Sequence, residues 1–575
     1  MSDTTTREYE KVRAIFDILS GDREADLLLK NLNVLDVHGE TVYQGSILVY
    51  DKRIVALNPD ESIVRVRDIF DGKGLYAIPG LIDAHLHFES QLANPTALAA
   101  AMVPCGTTTI YAECLDLLSA AGENGAQAAA DLFRNHEALP YRLFAFAPGK
   151  KTAASVTKAV LEMEPVIGLG EFEHFTYSSG DEDDFLKAAW VRAKGGFING
   201  HWGVTTLSDM MLNYLPAIGV SNNHDVWTEK DIEKSIRYGF PTHIKFGVGS
   251  NEVIKTLLRA IVDRKFPTDN FMLCTDNISV ARLQKMGHMD WIISLCAQMG
   301  ISPISAIKMA SYNTARSFHM EDQIGSLTPG RFADIVLTDS LSNINPLYVF
   351  KGGKLVARDR KLLRNAEIDY SGMRTAGVAG LDDLTAAQLD IEPIEISHDG
   401  TRAKVVLFDV YGRGHAKFHQ EIWVPFRQGK VVPEYEGEKL SRLSVIQRYA
   451  NGKRHIVNGV FKGVYLERGA VATFWPAPSP YFVAVGQDSE EMRYCVQQVD
   501  TYSGACVVSE NRSVRSVMPL EIYGVMADMN LAELTSSVAA IDAALETLGN
   551  RNEGEPVVNK LLSLFISLHR FRFME

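Results

Sequence analysis

Several features that mark specialised classes of protein are missing from this sequence. Cysteine is scarce: six cysteines are scattered over 575 residues without a CxxC pair. That excludes a disulfide framework and favours a reducing cytoplasm. No run of about 18 apolar residues occurs, so no segment is predicted to span a bilayer. The stretch 1–13 lacks the basic and apolar segments of a secretory signal. We therefore expect a soluble, cytoplasmic protein.

Basic charge is also in deficit. Lysine and arginine together number 58 against 71 aspartates and glutamates, which gives a formal net charge of −13. Such a charge repels phosphate backbones and anionic membranes, so neither nucleic acid nor a membrane is expected as a partner. The composition is otherwise ordinary, with 46% hydrophobic residues and no repeat or low-complexity tract, which excludes a disordered or fibrous chain.

Two sequence patterns alternate along the chain and predict its domains. Short strand-like runs broken by turns occur at 26–57 and again at 333–358. Between them, short apolar runs alternate with helical stretches over about 240 residues, which is the rhythm of a (β/α)8 barrel. Two sheet domains around a barrel would offer surface for a homodimer. We therefore predict an α/β protein with a TIM-type barrel at 77–320, a composite β-sheet domain at 1–76 and 321–368, a linker at 369–400 and an α+β domain at 401–575.

Ionisable side chains follow the apolar runs, at the carboxyl ends of the predicted strands. His85 and His87 lie two residues apart in PGLIDAHLHFES, so a strand would turn both into the barrel mouth. Their nitrogen donors suit Zn, Mn or Fe, although an HxH pair by itself could equally be a polar strand end. Four further runs end in the same way, at Glu171 in VIGLGE, His201 in FINGH, His224 in GVSNNH and Asp276 in FMLCTD.

These six residues together indicate one shared site. A buried ionisable group is costly unless it is paired or binds a metal. The active sites of such barrels gather at the carboxyl ends of the strands, where all six residues are predicted to lie. Their number suits two divalent metal ions about 3.5 to 4 Å apart, bridged by a carboxylate. We therefore predict a binuclear centre that holds Mn, Fe or Zn.

The motifs around these residues resemble those of the amidohydrolase superfamily and, within it, the bacterial adenine deaminases. The resemblance is carried by PGLIDAHLH, GLGE, CTDN and GHMDWI, and it runs from Asp26 to the C-terminus. It implies that Glu171 stands where other members use a carbamylated lysine to bridge two metals. It also implies five further metal ligands, namely His85, His87, His201, His224 and Asp276.

Two segments depart from the pattern of the adenine deaminases. Where that family carries a DPHE-like motif, this chain reads ECLD at 113–116, with Leu115 in place of the histidine. Where a segment of the last domain usually reads SVAHDSHN, this chain reads ATFWPAPSPY and presents Phe474 and Trp475. Both changes predict a more apolar substrate pocket. We therefore expect adenine itself to be turned over slowly or not at all. A larger or more apolar ring, such as an N-alkylated aminopurine or a substituted heterocyclic amide, should react faster.

Four residues are candidates for contact with the substrate. Glu113 and Asp116 stand at the acidic positions of the altered DPHE-like motif. Trp202 could stack on a planar ring, or it could simply pack in the barrel. His288 matches the GH pair of the family and could approach the substrate, or it could have a structural role.

The predicted reaction is a hydrolytic deamination of a heterocyclic small molecule. The two metals would make hydroxide available near neutral pH for attack on the ring carbon that bears the exocyclic nitrogen. Asp276 would move a proton to the departing nitrogen, and Glu171 would be the second catalytic residue. The products would be ammonia and an oxo-purine. Two alternatives stay open: hydrolysis of another cyclic amide, lactam or pterin-like ring, and a non-catalytic scaffold, which would have lost ligands that this chain retains.

Overall fold

A computed structural model describes most of the 575-residue chain. The described residues are 3–150, 152–173, 181–202, 207–247, 251–374, 381–410, 416–448, 454–475, 481–551 and 556–561. They confirm the predicted fold class. A parallel eight-stranded barrel is flanked by a small sheet drawn from both sides of the sequence and followed by an α+β domain.

The barrel consists of short parallel strands that are buried along nearly their whole length. Burial on both faces explains why these strands read as continuous apolar runs instead of alternating ones. The eighth strand returns to the first through a bridge between Leu86 and Asp276. All the carboxyl ends therefore surround one mouth. The strands are Leu81–His87, Thr107–Glu113, Arg142–Pro148, Val166–Glu173, Phe197–His201, Val220–Asn223, Thr242–Lys245 and Phe271–Cys274.

The small sheet joins the two flanks of the barrel in one nine-stranded layer. Its central contact is the antiparallel pair of Tyr76–Pro79 with Ile335–Thr338. Tyr76–Pro79 runs directly into the first barrel strand, so this sheet anchors the strand that carries His85 and His87. The other strands are Glu24–Asp36, Thr41–Tyr50, Arg53–Leu57, Arg65–Asp71, Pro346–Lys351, Lys354–Arg358 and Lys361–Leu362.

The C-terminal domain is a ten-stranded sheet with helix Ser489–Thr501 packed on one face. The segment 369–400, predicted as a linker, contributes Leu381, Leu384 and Leu389 to the buried core beneath that helix. The strands are Glu395–Ile396, Arg402–Val410, Ala416–Arg427, Lys430–Val431, Ser441–Arg448, Arg454–Lys462, Ala470–Trp475, Tyr481–Gly486, Ala505–Glu510 and Ser513–Pro519, beside a separate pair, Glu434–Tyr435 and Glu438–Lys439.

Helices cover the barrel and fill the spaces between the domains. Local capping fixes many of their first turns; for example, Thr228 and Asp231 form a capping box at the start of Glu229–Arg237. The other α-helices are Asp3–Leu19, Pro95–Met102, Leu115–Ala121, Gly125–Phe133, Ala154–Val160, Glu182–Ala193, Asp209–Ala217, Asn251–Asp263, Val280–Met286, Met289–Gln298, Pro303–Met309, Tyr312–Ser317 and Leu531–Thr547. Short 3-10 turns occur at Glu89–Gln91, Val103–Cys105, Gly122–Asn124, His136–Ala138, Thr268–Asn270, Ser371–Met373 and Ala386–Leu389.

One buried apolar cluster runs from the barrel into the C-terminal domain. It includes Leu98 and Leu118 from barrel helices together with Val525 and Leu534 from the last domain. The barrel and the C-terminal domain therefore share one buried core. Among the described residues, no helix combines the length and the apolar character that crossing a membrane requires.

Asn94 ties the barrel to the C-terminal domain, and its replacement tests that junction. Its Oδ1 accepts from Ala97 N at 2.8 Å, which caps a barrel helix. Its Nδ2 donates to Ala527 O at 3.2 Å and to Met529 O at 3.0 Å. We expect Asn94→Ala to lower the free energy of unfolding by about 1 to 3 kcal/mol, because a cap and two buried hydrogen bonds are lost.

Urea denaturation followed by tryptophan fluorescence measures the effect. Asn94→Asp separates the two roles, since it keeps the capping oxygen and removes the donor. A stability of Asn94→Asp equal to that of the parent would show that only the cap matters.

Candidate active site

The barrel brings together the six residues predicted as metal ligands. Two of them lie on the first strand, and the others come from the fourth, fifth, sixth and eighth strands or directly after them. Parallel strands end at the same side of a barrel, which places their terminal side chains in one mouth. The six residues are His85, His87, Glu171, His201, His224 and Asp276.

His85 and His87 form the first pair. Their Nε2 atoms lie 3.2 Å apart in the buried mouth of the barrel. Nitrogens this close cannot both carry a proton, but both can face one cation. Asp276 Oδ1 lies 3.5 Å from His87 Nε2 and 3.9 Å from His85 Nε2. Two imidazoles and one carboxylate therefore converge at this point.

His201 and His224 form the second pair. His201 Nδ1 lies 2.7 Å from His224 Nε2. The His224 ring also stacks on His85, with centroids 3.9 Å apart, so the two pairs are in contact. In this pair, as in the first, two imidazole nitrogens face each other closely enough to bind a single cation.

Glu171 lies between the two pairs. Its Oε1 is 3.1 Å from His87 Nε2 and 3.6 Å from His201 Nδ1. The same oxygen is 3.8 Å from the Nε2 atoms of His85 and His224. One carboxylate oxygen thus faces all four imidazoles, which is the position a bridging ligand requires.

The protonation of the histidines follows from burial and from these carboxylates. Burial and neighbouring imidazoles hold the pKa of His85 well below its ordinary value. Burial lowers the pKa of His201 to about 4, against the opposing pull of Glu171. His87 is different: although burial acts in the other direction, Glu171 and Asp276 raise its pKa well above the ordinary value. The imidazoles of His85 and His201 are therefore neutral at neutral pH and free to act as ligands.

Both carboxylates are held ionised in spite of their burial. Burial opposes ionisation of Glu171, but Lys150 and the neighbouring histidines bring its pKa well below the ordinary value. For Asp276, Lys245 and His87 outweigh burial and bring the pKa to about 2. Each carboxylate thus has a lysine as its chief electrostatic partner.

The backbone at these two carboxylates is unusual. Glu171 has φ of 41° and Asp276 has φ of 56°, in the left-handed region that residues other than glycine seldom adopt. Such conformations concentrate at functional sites, where the surrounding structure holds them in place. Here the left-handed conformation occurs at the two residues whose carboxylates lie in the barrel mouth.

Glu113 lies at the same mouth and contacts the site through Asn199. The Asn199 amide nitrogen is 3.0 Å from His85 Nδ1 and 3.2 Å from Glu113 Oε1. The Glu113 carboxyl lies directly against Gly170, where any Cβ would overlap it. Burial, and then the charge of Glu171, raises the pKa of Glu113 to about 8.

Asp116 lies at the rim of this cluster, in the first turn of helix Leu115–Ala121. Its charge, second to burial, raises the pKa of Glu89 to about 7. Glu89 Oε1 accepts from Leu117 N at 2.9 Å. Glu89, which the sequence analysis did not single out, therefore adds a further buried carboxyl beside Asp116.

The contacts of Trp202 and His288 are with residues other than the six converging ones. Trp202 is buried, with its ring against Gly200 and edge-on to Phe240 at 5.3 Å. His288 is fully buried, with Nδ1 2.8 Å from Thr107 Oγ1 at the amino end of the second strand. Its Nε2 lies 3.2 Å from Asp83 Oδ2. Contact of either residue with the substrate stays a prediction.

The expectation of an apolar pocket wall at Phe474 is wrong. Phe474 is buried in the core of the C-terminal domain and packs on Phe482 with ring centroids 4.8 Å apart. Its strand alternates between the two faces of the sheet, and Phe474 points to the covered face. The side chain of Trp475 and the residues 476–480 lie outside the described part of the chain.

Two lysines complete the site and were missed from the sequence. Lys150 Nζ lies 2.8 Å from Glu171 Oε2, and Lys245 Nζ lies 3.5 Å from Asp276 Oδ2. A signal for both was available, since Lys150 follows the third strand closely and Lys245 ends the seventh. Like the histidines, both lysines follow apolar runs at the ends of barrel strands, so the same sequence pattern identifies them.

The donor set fits divalent metal ions. The ligand atoms of His85, His87 and Asp276 lie within 4.8 Å of one another, and so do those of His85, Glu171 and His224. His224 Nδ1 has no hydrogen-bond partner among the described residues, although it is buried. Neutral imidazoles and ionised carboxylates are the groups that bind Mn, Fe or Zn. The arrangement can therefore hold metal and direct it at a molecule in the barrel mouth.

Comparison with known proteins shows the family of the chain. The profile of the "Adenine deaminase C-terminal domain" matches residues 417–568, and that of the "Amidohydrolase family" matches 248–356. The adenine deaminase of Desulforamulus reducens is 32% identical, over 92% of this chain and 90% of the relative. The adenine deaminases of Kosmotoga olearia and Paracoccus denitrificans are 26% and 28% identical, over 93% and 96% of this chain and 91% and 93% of their own lengths. The chain therefore belongs to the adenine deaminase family of the amidohydrolases.

Proposed function

We propose that this chain deaminates adenine or a closely related aminopurine by hydrolysis, with release of ammonia and the oxo-purine. The observation that carries the proposal is the convergence of four imidazoles and two ionised carboxylates in the barrel mouth. The relatives that match nearly the whole chain are named adenine deaminase, which supports a purine ring as the substrate.

We further propose that the site holds two divalent metal ions, Mn, Fe or Zn. His85, His87 and Asp276 would hold one ion, His201 and His224 would hold the other, and Glu171 would serve both. When bound, the two ions supply hydroxide near neutral pH by lowering the pKa of water. The two nitrogen pairs, with one carboxylate oxygen facing both, support this count.

Asp276 is the residue that we propose moves the proton. Its Oδ1 lies beside the first histidine pair, and its low pKa leaves it ready to accept a proton from the attacking oxygen. Passing that proton to the amino group makes ammonia the leaving group. Glu171, whose Oε1 faces the same histidines, is proposed as the second catalytic residue, which orients the reacting groups. Glu113, which is buried beside the site, and the partly exposed Asp116 are proposed to contact the ring edge.

A second candidate is hydrolysis of another cyclic amide, lactam or pterin-like ring. Leu115 favours it, because an apolar side chain stands where the family pattern has a histidine that could contact a substrate. The expected preference for larger rings loses the support of Phe474, because this residue is part of the C-terminal core. Adenine is therefore the better first choice.

A substrate panel tests the choice. We expect ammonia release from adenine with a kcat/KM of at least about 10⁴ M⁻¹s⁻¹, within the usual range of enzymes. Pterins and cyclic amides should react more slowly, because their hydrogen-bonding groups do not match a site that reads the ring nitrogens of adenine. N-alkylated aminopurines should also react more slowly, because the added group must fit where the site holds an unsubstituted amino group. If a bulkier ring or a cyclic amide reacted faster than adenine, the second candidate function would be the better one.

We propose a cytoplasmic homodimer as the working state. All six cysteines are free and buried, which suits a reducing compartment. The first helix, Asp3–Leu19, leaves Tyr9, Val12 and Phe16 more than half exposed at 56%, 68% and 64%. Apolar side chains spaced along one helical face in this way support contact with a second copy. Light scattering of the purified protein measures the assembly.

A further inference from the structure

In both buried carboxylates, Glu171 and Asp276, one oxygen faces the histidines and the other faces a lysine. Glu171 turns Oε1 toward the histidines, with His87 Nε2 at 3.1 Å, while Oε2 lies 2.8 Å from Lys150 Nζ. Asp276 turns Oδ1 toward the histidines, while Oδ2 lies 3.5 Å from Lys245 Nζ. We propose that Lys150 and Lys245 are positioning residues, which hold the outer oxygen of each carboxylate so that a single oxygen faces the metal site. This inference rests on the proposed metal-dependent function.

Neither carboxylate is held in place by its backbone alone. Both have positive φ, 41° at Glu171 and 56° at Asp276, so the surrounding contacts must stabilise the conformation. A carboxylate whose second oxygen were free could rotate and present both oxygens to one cation. An ammonium group on the outer oxygen opposes that rotation, because it offers charge and donors on the side away from the histidines. Each lysine thus limits its carboxylate to one ligand atom.

The position of Lys150 follows from the close contact of Gly149 with the fourth strand. Gly149 N donates to Gly170 O at 2.9 Å, and a Cβ on Gly149 would overlap that oxygen. The loop after the third strand therefore lies flat on the end of the fourth strand. Lys150 and Glu171 are the next residues of the two segments, so their side chains meet. This close approach requires the absence of a side chain at 149, while the glycine at 170 leaves room for the Glu113 carboxyl.

Lys245 is fixed from several sides. Its Nζ donates to Asp225 Oδ1 at 2.9 Å and lies 4.4 Å from the centre of the Trp227 ring. The Trp227 indole donates to the same Asp225 oxygen at 2.5 Å. Lys245 is buried, and two carboxylates balance its charge. Burial with this many partners leaves the ammonium little freedom, which is what a positioning role requires.

Lys150→Met and Lys245→Met test the proposal, because methionine keeps an unbranched apolar side chain and removes the ammonium. Bound metal is counted by mass spectrometry, and the coordination of Mn²⁺-loaded protein is followed by electron paramagnetic resonance. We expect metal content equal to that of the parent, since the ligands remain, but a changed Mn²⁺ spectrum. We also expect kcat for ammonia release to fall by about 10- to 100-fold, with KM within about threefold, because misplaced groups slow the chemical step more than binding.

The arginine variants and a matched control make the result specific. Lys150→Arg and Lys245→Arg keep a cation on the outer oxygen and should recover part of kcat and the parent spectrum. Lys187→Met removes another buried lysine, paired with Asp184 at 3.4 Å on a barrel helix, and should change neither measurement. Circular dichroism checks that each variant folds.

The inference and the proposed function fail in different ways. If the parent protein binds metal but releases no ammonia from adenine, the proposed substrate is wrong, and the Mn²⁺ spectra still test the lysines. A parent-like spectrum and a parent-like kcat in both methionine variants would overturn the positioning role. A loss of rate that only parallels loss of metal would overturn it as well, since it would make the lysines part of metal retention.

Discussion

Replacing His224 with asparagine is expected to remove metal and abolish ammonia release. His224 Nε2 and His201 Nδ1 lie 2.7 Å apart and form the second nitrogen pair of the site. Without one of them, a second ion would keep a single imidazole and the shared Glu171, too few protein ligands for a defined geometry. We expect bound metal to fall toward one ion per chain, with the same outcome for His201→Asn.

The matched control is His319→Asn. His319 is exposed at the opposite end of the barrel, and its φ of 51° is a conformation that asparagine adopts readily. This variant should keep both metal and rate. Metal analysis and steady-state kinetics of the three variants decide the matter. Full metal content with a normal rate in His224→Asn would show that His224 is not a metal ligand and would contradict the proposed site. If the parent protein bound no metal at all, the non-catalytic scaffold would become the better explanation.

Replacing Asp276 with asparagine is expected to lower kcat by about 10² to 10⁴, the range of a lost general acid/base group. The amide cannot accept the proton that the leaving nitrogen needs. Asparagine tolerates the left-handed backbone at this position, so the loop should keep its shape. KM should change little, because the effect falls on the chemical step.

Asp269→Asn is the control for this variant. Asp269 pairs with Lys308 at 2.7 Å at the other end of the barrel and touches no ligand. Its kcat should equal that of the parent. If Asp276→Asn retained a kcat within a few-fold of the parent while its metal content stayed full, another group would have to carry the proton.

The correct and incorrect expectations have different physical origins. His85, Glu171 and His201 were recognised because each ionisable residue ends an apolar run, and this local pattern survives into the fold. Phe474 was assigned to the pocket from its position in a divergent motif. Its strand, however, places that side chain in the core of the C-terminal domain against Phe482. A motif position therefore does not decide which face of the sheet a side chain lies on.

The fold class and the six converging residues were determined by the sequence alone, because hydrophobic periodicity records burial along the chain and parallel strands must end at one mouth. Only the tertiary structure decided which imidazoles pair, which oxygen of Glu171 faces them, and that Lys150 and Lys245 hold the outer oxygens. It also decided that His288 lies against Thr107 and Asp83. Such contacts depend on the stagger of strands distant in sequence and on side-chain rotation, and neither leaves a periodic trace in the order of residues.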